Sequence, residues 1–248
     1  MGETTMKISQ LKKEIQVLNP EEGLKLLNEY QNELETFKLK QLIEEEDRRL
    51  DILSSYENEM FLKGYKVIAG MDEVGRGPLA GPVVVACVVL PRNYKMFGIN
   101  DSKKVPASKR EILSEIIKRD AISYSIIEID NRIIDEINIL EATKLAMEKA
   151  FNEISKDIDC LLIDAVSLNN IKAKQISLIK GDEKSISIAA ASIIAKVYRD
   201  HMMIEYDKIF PEYHFASNKG YGSSAHIEAI KKYGPTEIHR TTFIKNIV

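Results

Sequence analysis

No run of about 18 apolar residues, the length a bilayer-spanning helix needs, occurs in this sequence of 248 residues. Its first stretch, Met1 to Leu11, is polar and does not lead from a basic stub into an apolar core. A soluble, cytoplasmic protein with no membrane partner is therefore expected. Cysteine is nearly absent too: Cys87 and Cys160 stand far apart, each inside an apolar run. That excludes a disulfide framework and zinc-type spacing, and it predicts two buried thiols. The histidines, His201, His214, His226 and His239, match no common zinc pattern and read as polar packing. Internal repeats and low-complexity segments are missing as well.

An excess of positive charge is also lacking. The formal net charge is -3, which argues against a plainly basic nucleic-acid binder. The deficit is local, however: residues 1–64 hold 9 Lys and Arg against 14 Asp and Glu, leaving 26 against 24 for the rest. Divalent cations at a carboxylate cluster in that second part would improve its match to a phosphate backbone. With 44% hydrophobic and 29% charged residues, the chain is long and apolar enough to bury a substantial core.

Residues 1–62 read as helices, with Leu11, Ile15 and Leu18 at helical spacing and Asn19-Pro20-Glu21-Glu22 as a fresh helix start. After Gly64 the pattern becomes strand-like, which predicts a helical extension over 1–62 and a second domain over 63–248. Tyr65 to Met71, Val83 to Leu90 and Ala121 to Ile129 read as an antiparallel meander. Helices are predicted from Ser108 to Lys118 and from Ile139 to Ile154, and two further strands at Cys160 to Ile163 and Ile176 to Ile179. A long helix, about Ser185 to Ile209, is apolar over too wide an arc for a surface helix and should be central. Its small residues Ala189, Ala190, Ala191 and Ala195 would admit another backbone closely. The class is α/β, around one mixed sheet.

The most informative stretch runs from Ala69 to Pro82. Asp72 and Glu73 close an apolar strand, and Gly75-Arg76-Gly77 follows. Adjacent strand residues point to opposite faces, so the two acids converge only if the backbone turns there. The glycines permit a turn and a close approach of backbone amides to a ligand. A dinucleotide-binding loop is disfavoured by the G-x-G-x-x-x-G spacing and by Pro78 and Pro82. Asp164 and Asp182 each follow a strand as well. Taken alone, Asp164 reads more readily as a turn residue and Asp182 as the N-cap of the helix that follows. Together, four oxygen donors at neighbouring strand ends suit hard Mg²⁺ or Mn²⁺. Lys103, Lys104, Lys180, Lys196 and Arg199 are candidate phosphate contacts.

Asp72 to Pro82, Asp101-Ser102-Lys103-Lys104, the run Ala190 to Asp200 and Lys219-Gly220-Tyr221-Gly222 closely resemble, in order, the ribonuclease HII family. The resemblance covers about residues 65 to 248 and departs only in small ways, such as Ser223 where Thr is usual. It implies a ribonuclease H-like fold, a five-stranded mixed sheet flanked by helices with a C-terminal helical portion.

By the same resemblance, Asp72, Glu73, Asp164 and Asp182 match the catalytic carboxylates that hold two divalent ions. Gly75, Arg76, Gly77 and Tyr221 match the elements that recognise the ribonucleotide at an RNA-DNA junction, and Lys103 is the favoured phosphate contact. The implied substrates are RNA-DNA hybrids and duplex DNA containing ribonucleotides, handled by a monomer. Ribonuclease HIII, which shares the carboxylates, is disfavoured by the Gly75-Arg76-Gly77 loop and the helical N-terminal segment. A silent nucleic-acid-binding module is disfavoured because all four acids are present. Since every candidate lies beyond Gly64, the extension is expected to be dispensable for chemistry.

Overall fold

The computed structural model describes residues 8–15, 17–28, 33–154 and 157–247; the helical reading of residues 1–7, 16 and 29–32 lies outside them. Four helices come first: α1 (Ile8–Ile15), α2 (Pro20–Asn28), α3 (Glu33–Leu53) and α4 (Ser55–Leu62). The Asn19 side chain accepts the Glu22 N–H at 2.9 Å, the N-cap that starts α2. Then come β1 (Ile68–Val74), β2 (Val83–Val89), α5 (Ala107–Asp120), β3 (Ser123–Ile129), α6 (Asn131–Ile137) and α7 (Ile139–Glu153). They are followed by β4 (Cys160–Asp164), β5 (Lys174–Leu178) and α8 (Ile186–Ile209), and by the short C-terminal helices α9 (Phe215–Asn218), α10 (Ser224–Tyr233) and α11 (Thr241–Ile244).

The strands form one sheet in the order β3-β2-β1-β4-β5. β1, β2 and β3 pair antiparallel as a meander, whereas β4 and β5 run parallel to β1. Every residue of β2 is buried, which requires cover on both faces. Val84, Ala86 and Val88 pack with Ala189, Ile193 and Ile194 of α8; Val83, Val85 and Cys87 pack with Ala142, Ala146 and Ala150 of α7. Both cysteines are buried and free, as their apolar surroundings predict.

The small face of α8 meets β1 at Gly70, where an added Cβ would sit 2.1 Å from the Ser187 carbonyl carbon. Only glycine fits there. The central helix is thus held at a distance that aligns its start with the C-terminal half of β1.

The third and fourth helices pack on the elements that follow them. Leu50 and Leu53 of α3 belong to the core between the sheet and α8, and Met60 of α4 packs with Ile68, Leu162 and Ile188. Each such side chain contributes on the order of 1.5 to 3 kcal/mol by burial. Polar ties cross the same boundary: Glu46 accepts the Gly98 N–H at 2.7 Å, and Arg49 donates to the Ile99 carbonyl at 2.8 Å. Among the described residues, no helix is long and apolar enough to cross a membrane.

Candidate active site

Parallel pairing sets the site. Met71 of β1 lies opposite Ile163 of β4, so the next residues, Asp72 and Asp164, emerge side by side on the α8 face of the sheet. The ladder of β1 continues through Val74, which pairs with Val84. The chain therefore turns two residues after the acid pair rather than at it, and Asp72 and Glu73 occupy opposite pleats of one strand. Their charges are nonetheless close enough to act on each other. β5, beside β4, leads through Lys180 into a 3₁₀ turn, Gly181–Glu183, that carries Asp182.

Each acid is held by groups that no spacing rule points to. Asp72 accepts the Glu73 N–H at 2.8 Å and lies near Ser192 of α8, whose hydroxyl donates to Ser102 at 2.9 Å. Asp164 accepts the Gly181 N–H at 2.7 Å, which ties β4 to the turn that bears Asp182. Asp182 is not the N-cap of α8; that place is taken by Ser185, whose side chain accepts the Ile188 N–H. Asp182 instead lies beside Asp101, a further buried acid that the sequence shows only as part of a motif, and the Asp101 charge acts on it.

The electrostatics are those of crowded anions. Burial, then the Glu73 charge, raises Asp72 well above the ordinary carboxylate range. Burial also raises Glu73, opposed by the Arg76 guanidinium, which lies 3.3 Å from its carboxylate. Asp182 is raised to about 6 by burial and by Asp101 and Asp164, against the pull of Lys103. Lys103 is raised in turn: burial works against its charge, and Asp101, Asp182, Asp72 and Asp164 outweigh it.

Among the described residues no three of these side chains form a ready-made ion cage. The donor set still fits hard divalent cations, because all its atoms are oxygens and Glu73 Oε2 is buried with no hydrogen-bond partner among the described residues. Cations placed among these acids would relieve the repulsion that raises them.

The loop from Gly75 to Pro82 lies against the C-terminal helices and is fastened by two buried arginines. Arg199, 0% exposed, donates to the carbonyls of Pro82, Lys219 and Ala80 at 2.9, 2.8 and 3.1 Å. Arg199 is therefore not a phosphate contact, which corrects its candidacy. Arg240, equally buried, donates to Gly75 at 2.6 Å, to Arg76 at 2.9 Å, and to Gly81 at 3.0 and 2.8 Å. Burial lowers Arg199 to about 10; burial and the neighbouring Arg199 charge lower Arg240 to about 9. Gly75 has φ +93, and a Cβ there would meet Arg199 Nε at 2.3 Å. Glycine is thus required by the arginine behind it as well as by the turn.

Tyr221 is 46% exposed, so it is no core aromatic, and its ring edge lies 3.6 Å from where a Gly77 Cβ would be. Two buried histidines hold its backbone. The Thr236 N–H donates to His239 Nδ1 at 2.9 Å, so His239 carries its proton on Nε2. His239 then donates to His226 Nε2 at 3.0 Å, and His226 Nδ1 donates to the Tyr221 carbonyl at 2.8 Å. Lys196 is paired with Asp200 at 2.6 Å and Lys104 with Glu183 at 3.1 Å, which leaves Lys103 as the candidate lysine most coupled to the acids.

A mixed five-stranded sheet with acids gathered at the ends of its parallel central strands defines a ribonuclease H-like protein, a class that handles phosphodiesters with divalent ions. The family profile described as Ribonuclease HII matches residues 69–246. A ribonuclease HII of Caldanaerobacter subterraneus subsp. tengcongensis is 54% identical over 213 residues, covering 86% of this chain and 88% of that protein. One of Ruminiclostridium cellulolyticum is 48% identical over the full length of both chains. The crystal structure of ribonuclease H2 from Pyrococcus horikoshii superposes with a TM-score of 0.61 at 27% identity, covering 73% of this chain and 97% of that one. The chain belongs to the ribonuclease HII family. It is a metal-dependent endoribonuclease of the ribonuclease H type, acting on RNA-DNA hybrids.

Proposed function

We propose that the enzyme also incises duplex DNA on the 5′ side of an embedded ribonucleotide, leaving 5′-phosphate and 3′-hydroxyl ends. In this reading Asp72, Glu73, Asp164 and Asp182 would hold two divalent ions, Mg²⁺ or Mn²⁺. The observation that carries it is the buried orphan oxygen of Glu73 amid mutually repelling acids, a donor set that asks for cations. Divalent ions supply, when bound, an activated water and neutralisation of charge on the phosphate and the leaving oxygen. The protein residues orient and exclude. Asp72 and Asp164 are fixed by strand register, while Asp182 is fixed by its turn and Lys103 is placed to meet a phosphate.

Recognition falls to the Gly75-Arg76-Gly77 loop and Tyr221. With the carbonyls of Gly75 and Arg76 engaged by Arg240, the loop is free to offer amide N–H groups to a ribose 2′-hydroxyl, the group that distinguishes RNA from DNA. The exposed Tyr221 ring beside Gly77 packs on the sugar or base. All these residues come from one chain, so the proposed functional unit is a monomer. We treat residues 1–62 as a helical extension of a catalytic domain over 63–248, since no acid of the cluster precedes Asp72.

The test is incubation with a labelled DNA duplex containing one ribonucleotide, with Mg²⁺, with Mn²⁺ and with chelator. A single cut 5′ of the ribonucleotide, dependent on metal and ending in 3′-hydroxyl, is expected. An uncut duplex beside a digested long hybrid would remove junction recognition. Calcium should permit binding but suppress cleavage, because its longer and looser coordination misplaces the attacking water.

A further inference from the structure

Glu57 of α4 is 5% exposed, yet it lies in the helical extension, far in sequence from every acid of the site. Its Oε1 accepts the Ser185 hydroxyl at 2.5 Å and the Ser187 N–H at 2.9 Å, so it closes the start of α8 from outside. The connections continue inward. Ser185 N–H donates to the Gly181 carbonyl at 2.9 Å, and Gly181 N–H donates to Asp164 Oδ1 at 2.7 Å. Asp182 is the residue next to Gly181. Ser187 is also pressed against Gly70 of β1, two residues before Asp72. One carboxylate of the extension thus sits where α4, β1, the start of α8 and the turn bearing Asp182 meet.

We propose, building on the four-acid reading above, that Glu57 is a positioning residue for the metal site: through Ser185 and Gly181 it fixes Asp164 and Asp182 relative to Asp72. The chemically active unit then begins within the extension, contrary to the expectation that residues 1–62 are dispensable. A second tie points the same way. Glu46 and Arg49 of α3 hold Gly98 and Ile99, which lead into Asp101, the acid whose charge acts on Asp182. The other Glu57 oxygen and the Ser54 hydroxyl have no hydrogen-bond partner among the described residues and border a cavity of about 20 Å³, room for one water. A glutamine amide could therefore replace the carboxylate there, its oxygen keeping both accepted bonds and its NH₂ facing the cavity.

The full-length chain, as wild type, Glu57→Gln, Glu57→Ala and Asp182→Asn, should be titrated with Mn²⁺ by calorimetry and assayed for kcat and KM on a duplex with one ribonucleotide. The temperature should be one at which melting curves show each variant folded. Groups that orient metal-binding acids typically change affinity or turnover by about 10- to 100-fold when removed. For Glu57→Ala we expect Mn²⁺ affinity and kcat to fall by about tenfold with KM for the duplex within about twofold, and Glu57→Gln to restore both. Should Glu57→Ala not fold, Glu57→Asp, which keeps the charge and withdraws the oxygen by one methylene, is expected to show the same shift. Wild-type Mn²⁺ affinity in folded Glu57→Ala or Glu57→Asp overturns the inference, and so does Glu57→Gln as impaired as Glu57→Ala. An inactive Asp182→Asn beside an unaffected Glu57→Ala sinks this inference alone. A fully active Asp182→Asn sinks the four-acid reading and this inference together.

Discussion

Asp72 sits under two opposed demands, since the fold buries it and its neighbours repel its charge. Asp72→Asn is therefore expected to abolish cleavage by more than about a thousandfold, a barrier change of about 4 kcal/mol, while the melting temperature holds or rises because repulsion is relieved. A folded variant with near-normal turnover would sink the assignment. Tyr221→Ala removes an aromatic contact worth about 1 to 3 kcal/mol. The loss should be roughly ten- to hundredfold on a single embedded ribonucleotide and smaller on a long hybrid, which offers alternative registers. Equal losses on both substrates would count against junction reading. The acids were legible because each follows an apolar run, and the loop because its glycines are closely spaced. Asp101, Glu57 and Arg240 were not, since what distinguishes them is burial against residues remote in sequence, which no local pattern encodes.

The loop from Gly75 to Pro82 takes its shape from elsewhere in the chain. Arg240 and Arg199 bond its carbonyls and have no carboxylate partner in those contacts, so their charge is stabilised there by peptide dipoles. Arg240→Met should leave three carbonyls short of a donor and lower stability by about 3 kcal/mol, read as a shift in urea midpoint. Cleavage of single-ribonucleotide duplexes should fall with it at temperatures where the variant is folded; an unchanged midpoint would mean that other donors take over. The histidine pair makes a second element-scale prediction. Burial, with His226 beside it, lowers His239 from the ordinary value of 6.5 to about 4. Between those values the unfolded chain takes up a proton that the folded one refuses, so this contribution is complete above about pH 6.5 and is lost as pH falls toward 4. Comparing urea unfolding of wild type and His239→Gln at pH 7 and pH 5 should show a steeper loss in the wild type, at most about 2 kcal/mol over that window. Strand periodicity and the width of the apolar arc on α8 made the sheet and its central helix readable in advance. The short α6 and α9 were not anticipated, because seven and four residues give too little periodicity to separate from a loop.

For the molecule as a whole, the change of pattern at Gly64 marks a change of composition across which the core is shared. The extension differs from the rest in composition and charge, yet Leu50, Leu53, Met60 and Glu57 are buried against elements that follow it. A chain beginning at Gly64 should thus be poorly soluble and melt lower than the full chain, measured by recovery after heating. Equal recovery would show that the remaining core closes without cover. The partner of Glu57 at Ser185 lies 128 residues further along. A ribosome adding about 5 to 20 residues per second needs roughly 6 to 25 s to deliver it. Throughout that interval the acid of α4 is without its partners, so Glu57 must wait for most of the enzyme to be made before it can take its place.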